Sequence, residues 1–498
     1  MASSPAHGLS ARMAPFMDPH LLLPMLNHLK ELGANTDSAE LDVVSATKMV
    51  DYEKELFSKV HAGAAPPAEL DAKGAAVLAR FDALDGPLGA LRKLMEEEPE
   101  TVQRMRDEAV YTVANLSASH GVTAEHVEML YEYAKLTYET GNYSLAKVYL
   151  GHYQLLGPEG SPTVYRAGWG KLAAEILEAI TLASNPEMQS QEDHANVQAI
   201  FAQAAADLQV VSSQIDESSD GALDQLSKRA WLLHWSLFVF FQQAEGGREA
   251  LVEFFFQEKY VNTIQTYCPW LLRYLAFAIV TDKRHWSGRK KDALLKMITL
   301  ETYEYSDPIT EFVAALMRDS DFAGAQSKLE GCVEVLSQDY FLAPAKAEFL
   351  ELAKECIFEM KCRIHQKIDM DRLASSLNLK QSDAERWIIG LINDSKLDAK
   401  IDSASNHVEM AKSYPSIYTQ IVSKTKHLTY QTHALHNQVR EYFGECQQQA
   451  EAEAAARRAQ ALKLAQAQKA AAEAKAREAA AEAAKPVLTM AQKLAMKN

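Results

Sequence analysis

The sequence predicts a mainly α-helical protein, in which a solenoid of helical hairpins is capped by a winged helix and followed by C-terminal helices. Three observations predict this fold class. A helical hairpin pattern at residues 126–156 returns in a weaker form at residues 321–325, and residues 362–412 change from helical to strand periodicity. From Ala450 to Ala484 the chain is made almost wholly of Ala, Glu, Lys, Arg and Gln, which favour helix. This organisation is typical of a scaffold protein and not of an enzyme.

Composition sets the broad class of the protein. The 498 residues are long enough for two or three domains, and 48% apolar residues suffice for sizeable cores. A formal net charge of −16 argues against a protein that coats nucleic acid, because such binding depends on neutralising phosphates. The five cysteines form no C-x-x-C pair, and apolar runs such as Trp231–Phe241 are too short to span a bilayer. We therefore expect reduced, buried thiols and a cytoplasmic protein with no membrane partner, and a nuclear pool stays open.

Changes in pattern divide the chain into five segments. The first 12 residues are rich in Ser and Ala, and we expect them to be disordered. From Cys446 onward nine Lys or Arg oppose five Asp or Glu, so this tail carries +4 and the preceding residues carry −20. The segments are a disordered N-terminus (1–12), a helical-repeat region (13–361), a winged helix (362–412), a C-terminal helix (413–445) and an Ala-rich, basic, helical or disordered tail (446–498).

The helical hairpin at residues 126–156 has the spacing of a repeat. Small residues, Ala134 and Ala146, occur where two antiparallel helices must approach, on either side of the turn Gly141-Asn142-Tyr143. This spacing resembles a tetratricopeptide hairpin. Phe322 and Ala325 repeat the spacing of Tyr143 and Ala146. This repetition predicts a TPR-like solenoid whose units bury their apolar faces by stacking.

Three segments between the two hairpins are apolar nearly all round. They are Trp231–Phe241, Leu251–Phe256 and Trp270–Val280. Helices of this kind are covered on most sides by neighbours. We therefore expect them to form the centre of the helical region, which has no strand-rich segment before residue 362.

The winged helix is predicted from the order of its elements. Met370–Leu377 forms a first helix, and Ser382 with Glu385 makes a capping box for a second helix, Asp383–Asp394. Apolar and polar residues then alternate from Leu397 to Asp402, and a polar turn leads to His407–Met410, as in a β-hairpin.

The second helix is too acidic to favour DNA binding. Asp383, Glu385 and Asp394 outnumber Arg386, whereas a DNA reader needs cations that contact phosphates. The interaction-module interpretation is favoured, in which the hairpin edge pairs with a strand of a neighbouring chain. The residues expected to form or support this edge are Lys400, Ile401, His407, Val408 and Met410, although Ile401, Val408 and Met410 can equally be packing residues of the wing.

Motifs that carry catalysis are not found in the sequence. Gly168-Trp-Gly-Lys171 lacks the first Gly and the final Ser or Thr of a phosphate-binding loop, so it predicts helix packing. His234 between tryptophans is expected to be a core histidine, and His433 and His436 lack a nearby acidic ligand. We predict no catalytic, cofactor-binding or metal-ligating residue.

Several longer strings resemble the PCI-domain family, which is shared by the proteasome lid, the COP9 signalosome and eukaryotic translation initiation factor three. The match is best to the last of these, and it covers roughly residues 13–440. The alanine-rich segment after Glu445 departs from the family pattern. The strings include Gly141-Asn-Tyr-Ser144, Trp231–Phe241, Asp307-Pro-Ile-Thr-Glu-Phe312, Cys362-Arg-Ile-His-Gln366 and Leu397-Asp-Ala-Lys-Ile-Asp402.

The resemblance implies a non-catalytic scaffold subunit of the translation initiation factor three complex. Its implied partners are the neighbouring PCI subunits, joined through winged-helix edges and terminal helices, and subunit d. It also implies placement of the complex on the small (40S) ribosomal subunit near the mRNA exit, in support of mRNA recruitment during translation initiation, with mRNA as a further candidate partner.

Two alternatives stay open. The chain can be a PCI subunit of the proteasome lid or the COP9 signalosome, which share the architecture. It can also bind RNA directly, with Lys424, Lys426, Arg440 and the basic tail as candidate contacts. The usual interpretation of such cations is a solvated surface, and a steep loss of affinity with salt distinguishes phosphate binding from it.

Overall fold

The computed structural model describes most of the chain up to residue 365 and shorter pieces beyond it. The winged-helix helices predicted at Met370–Leu377 and Asp383–Asp394 lie almost wholly outside the described residues, as does the tail. The described residues are 8–61, 67–97, 99–108, 110–158, 160–185, 191–218, 220–243, 246–282, 286, 289–365, 367–370, 386, 388–390, 399–402, 407–410, 417–444, 446–447, 450 and 454.

The described part of the chain before residue 366 is helical. Short 3₁₀ turns at Ala14–Phe16, Pro269–Leu271 and Ala343–Ala345 and a π-helical turn at Ala315–Asp319 join some of the helices. The α-helices in chain order are α1 (Ser10–Met13), α2 (Pro19–Glu31), α3 (Asp37–Ser45), α4 (Val50–Val60), α5 (Ala68–Glu97), α6 (Pro99–Asp107), α7 (Val113–His120), α8 (Ala124–Glu139), α9 (Tyr143–Leu156), α10 (Pro162–Ser184), α11 (Gln191–Glu217), α12 (Ala222–Gln242), α13 (Gly247–Phe255), α14 (Glu258–Thr266), α15 (Leu272–Thr281), α16 (Arg289–Glu301), α17 (Pro308–Ala314), α18 (Phe322–Gln338) and α19 (Lys346–Ile364).

Three helices begin with a capping side chain followed directly by proline. In Asp18-Pro19, Ser161-Pro162 and Asp307-Pro308 the first side chain accepts a hydrogen bond from the backbone N–H of the residue two positions on. The cap satisfies an N–H that has no partner inside the helix, and the proline is already in a helical φ. These pairs therefore set where α2, α10 and α17 start.

The N-terminal segment from Leu9 to Met17 is part of the core. Leu9, Met13 and Met17 are buried, and α1 occupies Ser10–Met13. The Trp235 indole N–H donates to the Phe16 carbonyl at 3.1 Å, which ties this segment to α12. The expectation of disorder over residues 1–12 is therefore corrected for residues 8–12, because Leu9 and Met13 lie on one helical face and are covered by later helices.

The predicted hairpins are confirmed. Between α8 and α9, Gly141 adopts a φ of +91°, which favours glycine, and the Asn142 side chain caps α9. Ala134 and Ala146 are fully buried where the two helices meet. In the weaker copy the Asp321 side chain caps α18 by accepting hydrogen bonds from two backbone N–H groups, and Ala325 is again fully buried.

The centre of the helical region is formed by α12 and α15, as their composition predicted. Every residue from Leu271 to Val280 is buried, and so is nearly the whole of Ala230–Phe240. Among them His234 is fully buried and accepts a hydrogen bond from the Trp270 indole N–H at 2.9 Å, so it is a core histidine. Cys268, Cys332, Cys356 and Cys362 are buried free thiols.

A buried ion network crosses this core. The Arg273 guanidinium on α15 donates to both carboxylate oxygens of Asp307, at 2.7 and 3.2 Å, and to Asp339 at 3.2 Å. The Tyr274 hydroxyl donates to Asp339 at 2.9 Å. All four residues are at most 8% exposed. Since Asp307 also caps α17 and Asp339 follows α18, one arginine positions three helices.

Three short strands follow α19 and form one antiparallel sheet. They are β1 (Lys367–Asp369), β2 (Ala399–Asp402) and β3 (His407–Met410), in the spatial order β1-β3-β2. The β2–β3 pair is the hairpin that the alternation predicted. Together with the helical region before it, this sheet makes the fold a helical solenoid with a winged-helix end.

The chain divides into two compact units, Met1–Ala411 and Lys412–Asn498. In the second unit residues 417–444 form one continuous helix, α20, of which residues 417–443 are all exposed. This helix is therefore described by itself.

We predict that Arg273→Met lowers the free energy of unfolding by about 3–5 kcal/mol, because two carboxylates then stay buried without a cation. Equilibrium urea unfolding of the purified chain measures the loss. The control is Arg248→Met, which breaks an ion pair with Glu348 at the surface and should cost less than about 1 kcal/mol. Equal, small losses for both variants would contradict a structural role for the network.

Candidate protein-interaction surfaces

The winged-helix sheet has an apolar inner row. Ile368, Val408 and Ile401 are aligned across β1, β3 and β2. Val408 is fully buried and Ile368 is 7% exposed, and both pack with Phe358 of α19. Ile388 belongs to the same cluster and is fully buried, so part of the predicted second helix faces the sheet as expected. The inner row is therefore packing surface.

The opposite face of the sheet carries charges in alternating order. Because side chains alternate across a strand, the rows on either side of the apolar row point away from it. One row is Lys367, Glu409 and Lys400, and the Lys367 ammonium is ion-paired with the Glu409 carboxylate. The other row consists of Asp369, His407 and Asp402. Opposite charges on directly facing positions stabilise the register of the three strands.

The strand order corrects the predicted edge. β3 pairs on both sides, so His407, Val408 and Met410 support the sheet from its centre and do not form an edge. Lys400 and Ile401 lie on β2, one of the two outer strands among those that the structure describes. The sequence could not reveal this, because β1 is only three residues long and its pairing with β3 is not local.

A second candidate surface runs along α20. Four large residues recur at intervals of seven, namely Ile421, Leu428, Leu435 and Tyr442, and each is between 56% and 64% exposed. These four residues are the d positions of a heptad pattern. The a positions lie three residues before each of them and are Tyr418, Thr425, Thr432 and Val439. Side chains of this kind form one apolar stripe along the helix.

From the sequence we predict only a C-terminal helix over residues 413–445, and the apolar stripe of α20 is not part of that prediction. The signal was present as the seven-residue interval between the four d positions. The composition of the segment gives only a weak signal, because two of the a positions are threonines and the other faces of the helix are polar. Heptad spacing therefore identifies this surface, whereas mean polarity conceals it.

The predicted RNA contacts lie beside this stripe. Lys426, His433 and Arg440 are seven residues apart and form one row at the b positions of the heptad. Lys424, at a g position, is on the other flank of the stripe. All four are exposed. The structure thus brings two of the three predicted cations onto one face of α20 and separates the third from them.

The remaining candidates for chemistry are accounted for by packing. Gly168-Trp-Gly-Lys171 lies inside α10, and Lys171 is ion-paired with Asp207 at 2.5 Å. Burial lowers the pKa of His234 to about 4, so it stays neutral and accepts its hydrogen bond near neutral pH. Within the described ranges the His, Cys, Asp and Glu side chains form no group of three that could hold a metal ion. A search of those same ranges finds no helix that is both long and apolar enough to cross a membrane.

Two family models match the chain. The first is described as eIF3 subunit 6 N terminal domain and matches residues 8–137, and the second is the PCI domain, which matches residues 329–412. The first match begins one residue before the buried Leu9. The second spans most of α18, all of α19 and the three strands, so it contains the sheet described above.

Curated relatives align with the chain over most of its length. A protein of Arabidopsis thaliana, named as the E subunit of eukaryotic translation initiation factor 3, is 36% identical over 452 residues, which is 88% of this chain and 97% of the relative. A protein of the same name from Yarrowia lipolytica is 34% identical over 87% of this chain and 99% of its own length. A protein of the same name from Aspergillus clavatus is 35% identical over 86% of this chain and 92% of its own length.

We predict that Val408→Asp destroys the sheet, because it buries a charge without a partner, whereas Lys400→Gln, which places no like charge opposite Glu409, leaves it folded. Hydrogen exchange of the amides in residues 367–369 and 407–410 measures this. Protection should be lost in the first variant and retained in the second. Full protection in both variants would mean that Val408 does not hold the strands together.

Proposed function

Because this chain belongs to the family of the E subunit of eukaryotic translation initiation factor 3, we propose that it acts as a non-catalytic scaffold that joins its neighbours through α20 and the outer strand β2. The observation that carries this proposal is the apolar stripe of α20, whose four d positions are each more than half exposed. Support for a non-catalytic role comes from the candidate groups for chemistry, which are engaged in packing and hydrogen bonds.

The stripe on α20 has the geometry of a helix that enters a bundle. Its a and d positions are joined on one side by Val422 and Phe443 at e positions, which are 51% and 62% exposed. The e positions between them are Thr429 and His436, so the stripe is widened only near the two ends of α20. We infer that α20 packs against a helix of a neighbouring subunit.

The outer strand β2 is the second joining surface. An outer strand presents backbone N–H and C=O groups that another strand can pair with. Lys400 and Asp402 point to the charged face of the sheet, so they also select the charge pattern of the partner strand. The proposed partner is the wing of a neighbouring PCI subunit.

The wider setting follows from the family. The proposed partners are the other subunits of the complex, subunit d among them, and the small (40S) ribosomal subunit, near the mRNA exit. Through this assembly the chain would support mRNA recruitment at translation initiation in the cytoplasm.

A second candidate function is direct RNA binding. It is favoured by one observation, the row of Lys426, His433 and Arg440 on a single face of α20. The two cations of this row, Lys426 and Arg440, can contact a phosphate backbone. The row lies beside the apolar stripe, so RNA contact and helix packing are compatible.

We predict that Leu428→Asp with Leu435→Asp weakens association with the other subunits at least tenfold, because two charges enter an apolar interface. The control is Tyr430→Asp with Asn437→Asp, which places the same charges at f positions, on the opposite side of α20. Native mass spectrometry of the reconstituted complex measures incorporation. The proposal fails if both double variants are incorporated as the wild type is.

We predict that a proline on β2 blocks assembly through the wing. Along β2 successive backbone N–H groups point alternately toward β3 and away from it. Proline has no N–H, so one of the two variants Ala399→Pro and Lys400→Pro loses a hydrogen bond to β3, and the other loses an N–H that points outward. The second of these should keep the β3 amides protected from exchange and still fail to join the neighbouring subunit. If Ala399→Pro and Lys400→Pro are each tested, and every variant that folds assembles normally, β-augmentation is excluded. A proline at His407 is unsuitable, because β3 pairs on both sides.

We predict that RNA binding, if it uses the row, falls steeply with salt. For a single-stranded RNA probe each phosphate contact contributes about 0.7 to the slope of log K against log salt, so Lys426→Glu with Arg440→Glu should reduce the slope by about 1.4. Fluorescence anisotropy at several salt concentrations measures it. A slope near zero in the wild type, or one that the variant leaves unchanged, would reject this second function.

A further inference from the structure

The apolar stripe of α20 is uncovered in a chain that has not yet joined a complex. The helix is described over residues 417–444, which is four heptads, and its four d positions are between 56% and 64% exposed. Heptads sustained over this length are typical of paired helices. Soluble proteins rarely leave such a surface open, because it favours aggregation. The free chain therefore needs an occupant for the stripe as well as the assembled one.

The stripe is complementary to itself when a second copy of α20 runs in the opposite direction. In such an antiparallel pair each a position shares a layer with a d position of the other helix. When Tyr430 is level with Tyr430 of the second copy, Thr425 faces Leu435 and Thr432 faces Leu428. Every layer of the pair then contains at least one large apolar side chain. The remaining facing pairs are Tyr418 with Tyr442 and Val439 with Ile421.

A parallel arrangement of the same two helices would leave two layers with little apolar volume. In it Thr425 and Thr432 each face the same threonine of the second copy, so neither layer contains a large apolar side chain. β-branched a positions with leucine at d are nevertheless typical of parallel two-stranded coils. The core residues therefore indicate a pair of helices, and its direction also depends on the groups outside the core.

The positions that flank the core differ on the two sides of α20. Val422 and Phe443 are apolar and occupy e positions, whereas Lys424, Gln431 and Gln438 are polar and occupy g positions. In an antiparallel pair the e positions of both helices lie along one flank, and the g positions lie along the other. The apolar residues of the two copies therefore share a flank. In a parallel pair each e position would instead lie against a g position of the second copy.

The charges on either side of α20 also favour the antiparallel direction. The chain up to residue 445 carries −20, and the tail from Cys446 onward carries +4. A parallel pair would bring two acidic parts together at one end and two basic tails together at the other. In an antiparallel pair the length of α20, about 42 Å, separates like charges by roughly five Debye lengths at physiological salt. The basic tail of each copy then begins beside the residues that precede α20 in the acidic part of the other.

We propose that two copies of the free chain form an antiparallel pair through α20, with residue 430 of each copy level at the centre. The pair covers the a and d positions that the scaffold function assigns to a neighbouring subunit, so each chain uses the stripe for one partner at a time. This goes beyond the scaffold function, because it concerns the chain before it enters a complex. It gives the stripe a second role, which is to protect the unassembled chain from aggregation.

The first experiment measures self-association of the purified full chain by sedimentation velocity, from low to high micromolar concentration. The expected result is a reversible equilibrium between one and two copies. Leu428→Asp with Leu435→Asp should raise the dissociation constant at least tenfold, because each charge enters an apolar layer. The control, Tyr430→Asp with Asn437→Asp, places the same charges at f positions and should leave the dissociation constant unchanged. A single copy at every concentration, a larger oligomer, or equal effects of the two double variants would overturn the proposal.

The second experiment determines the direction of the pair from the distance between two spin labels. The label is attached at Glu441→Cys, an exposed c position, in a chain that also carries Cys446→Ser, and the other four cysteines are buried. In the antiparallel pair residue 441 is level with residue 419 of the second copy, so the labels are about 33 Å apart along the helix axis. In a parallel pair they lie side by side, about 20 Å apart across two helices. The shorter distance would overturn the proposal.

Addition of the other subunits separates this proposal from the scaffold function. Native mass spectrometry should show that the pair is converted into complexes that contain one copy of the chain. Two copies that stay joined inside the complex would overturn the proposal, because the stripe would then not be exchanged between partners. A chain that is incorporated but never pairs would overturn the pair alone. A chain that pairs but is never incorporated would overturn the scaffold function and leave the pair in place.

Discussion

The buried contact of Arg273 with Asp307 and Asp339 is the interaction on which the helical region depends. A guanidinium in an apolar core is unfavourable unless its donors are met, and the two carboxylates meet them from segments 34 and 66 residues further along the chain. The same Asp307 starts α17. The contacts of Asp307 and Asp339 with Arg273 therefore set the position of the start of α17 and the end of α18 on α15. The next helix in the chain, α19, leads from there to the sheet.

The parts of the fold that depend on local spacing could be predicted from the sequence. The α8–α9 hairpin, the covered α12 and α15, and the β2–β3 hairpin each come from a periodicity within some 30 residues. Pairing of β1 with β3 and burial of Leu9 could not be predicted, because each depends on a partner far along the chain. The interaction surfaces fall between these cases. The stripe of α20 is present in the sequence as a heptad, whereas the position of β2 as an outer strand follows only from the pairing of β1 with β3.

Two of the most buried polar side chains of the core are hydrogen-bonded, whereas the apolar d positions of α20 are exposed. Buried polar groups such as His234 and Arg273 have partners from distant helices. The d positions of α20 instead present exposed apolar side chains, for which we propose partners in neighbouring subunits. This contrast is what a scaffold subunit requires, because its own stability must not depend on its neighbours while its recognition must.

The burial of the N-terminal segment has a consequence for biosynthesis. The Phe16 carbonyl accepts a hydrogen bond from the Trp235 indole N–H, and the Met13 sulfur lies 3.4 Å from the Tyr274 hydroxyl oxygen, so these two partners are made 219 and 261 residues later. At translation rates of about 5–20 residues per second the apolar Leu9–Met17 segment waits on the order of ten seconds or longer outside the ribosome before its site exists. During that interval the native core cannot yet cover the segment.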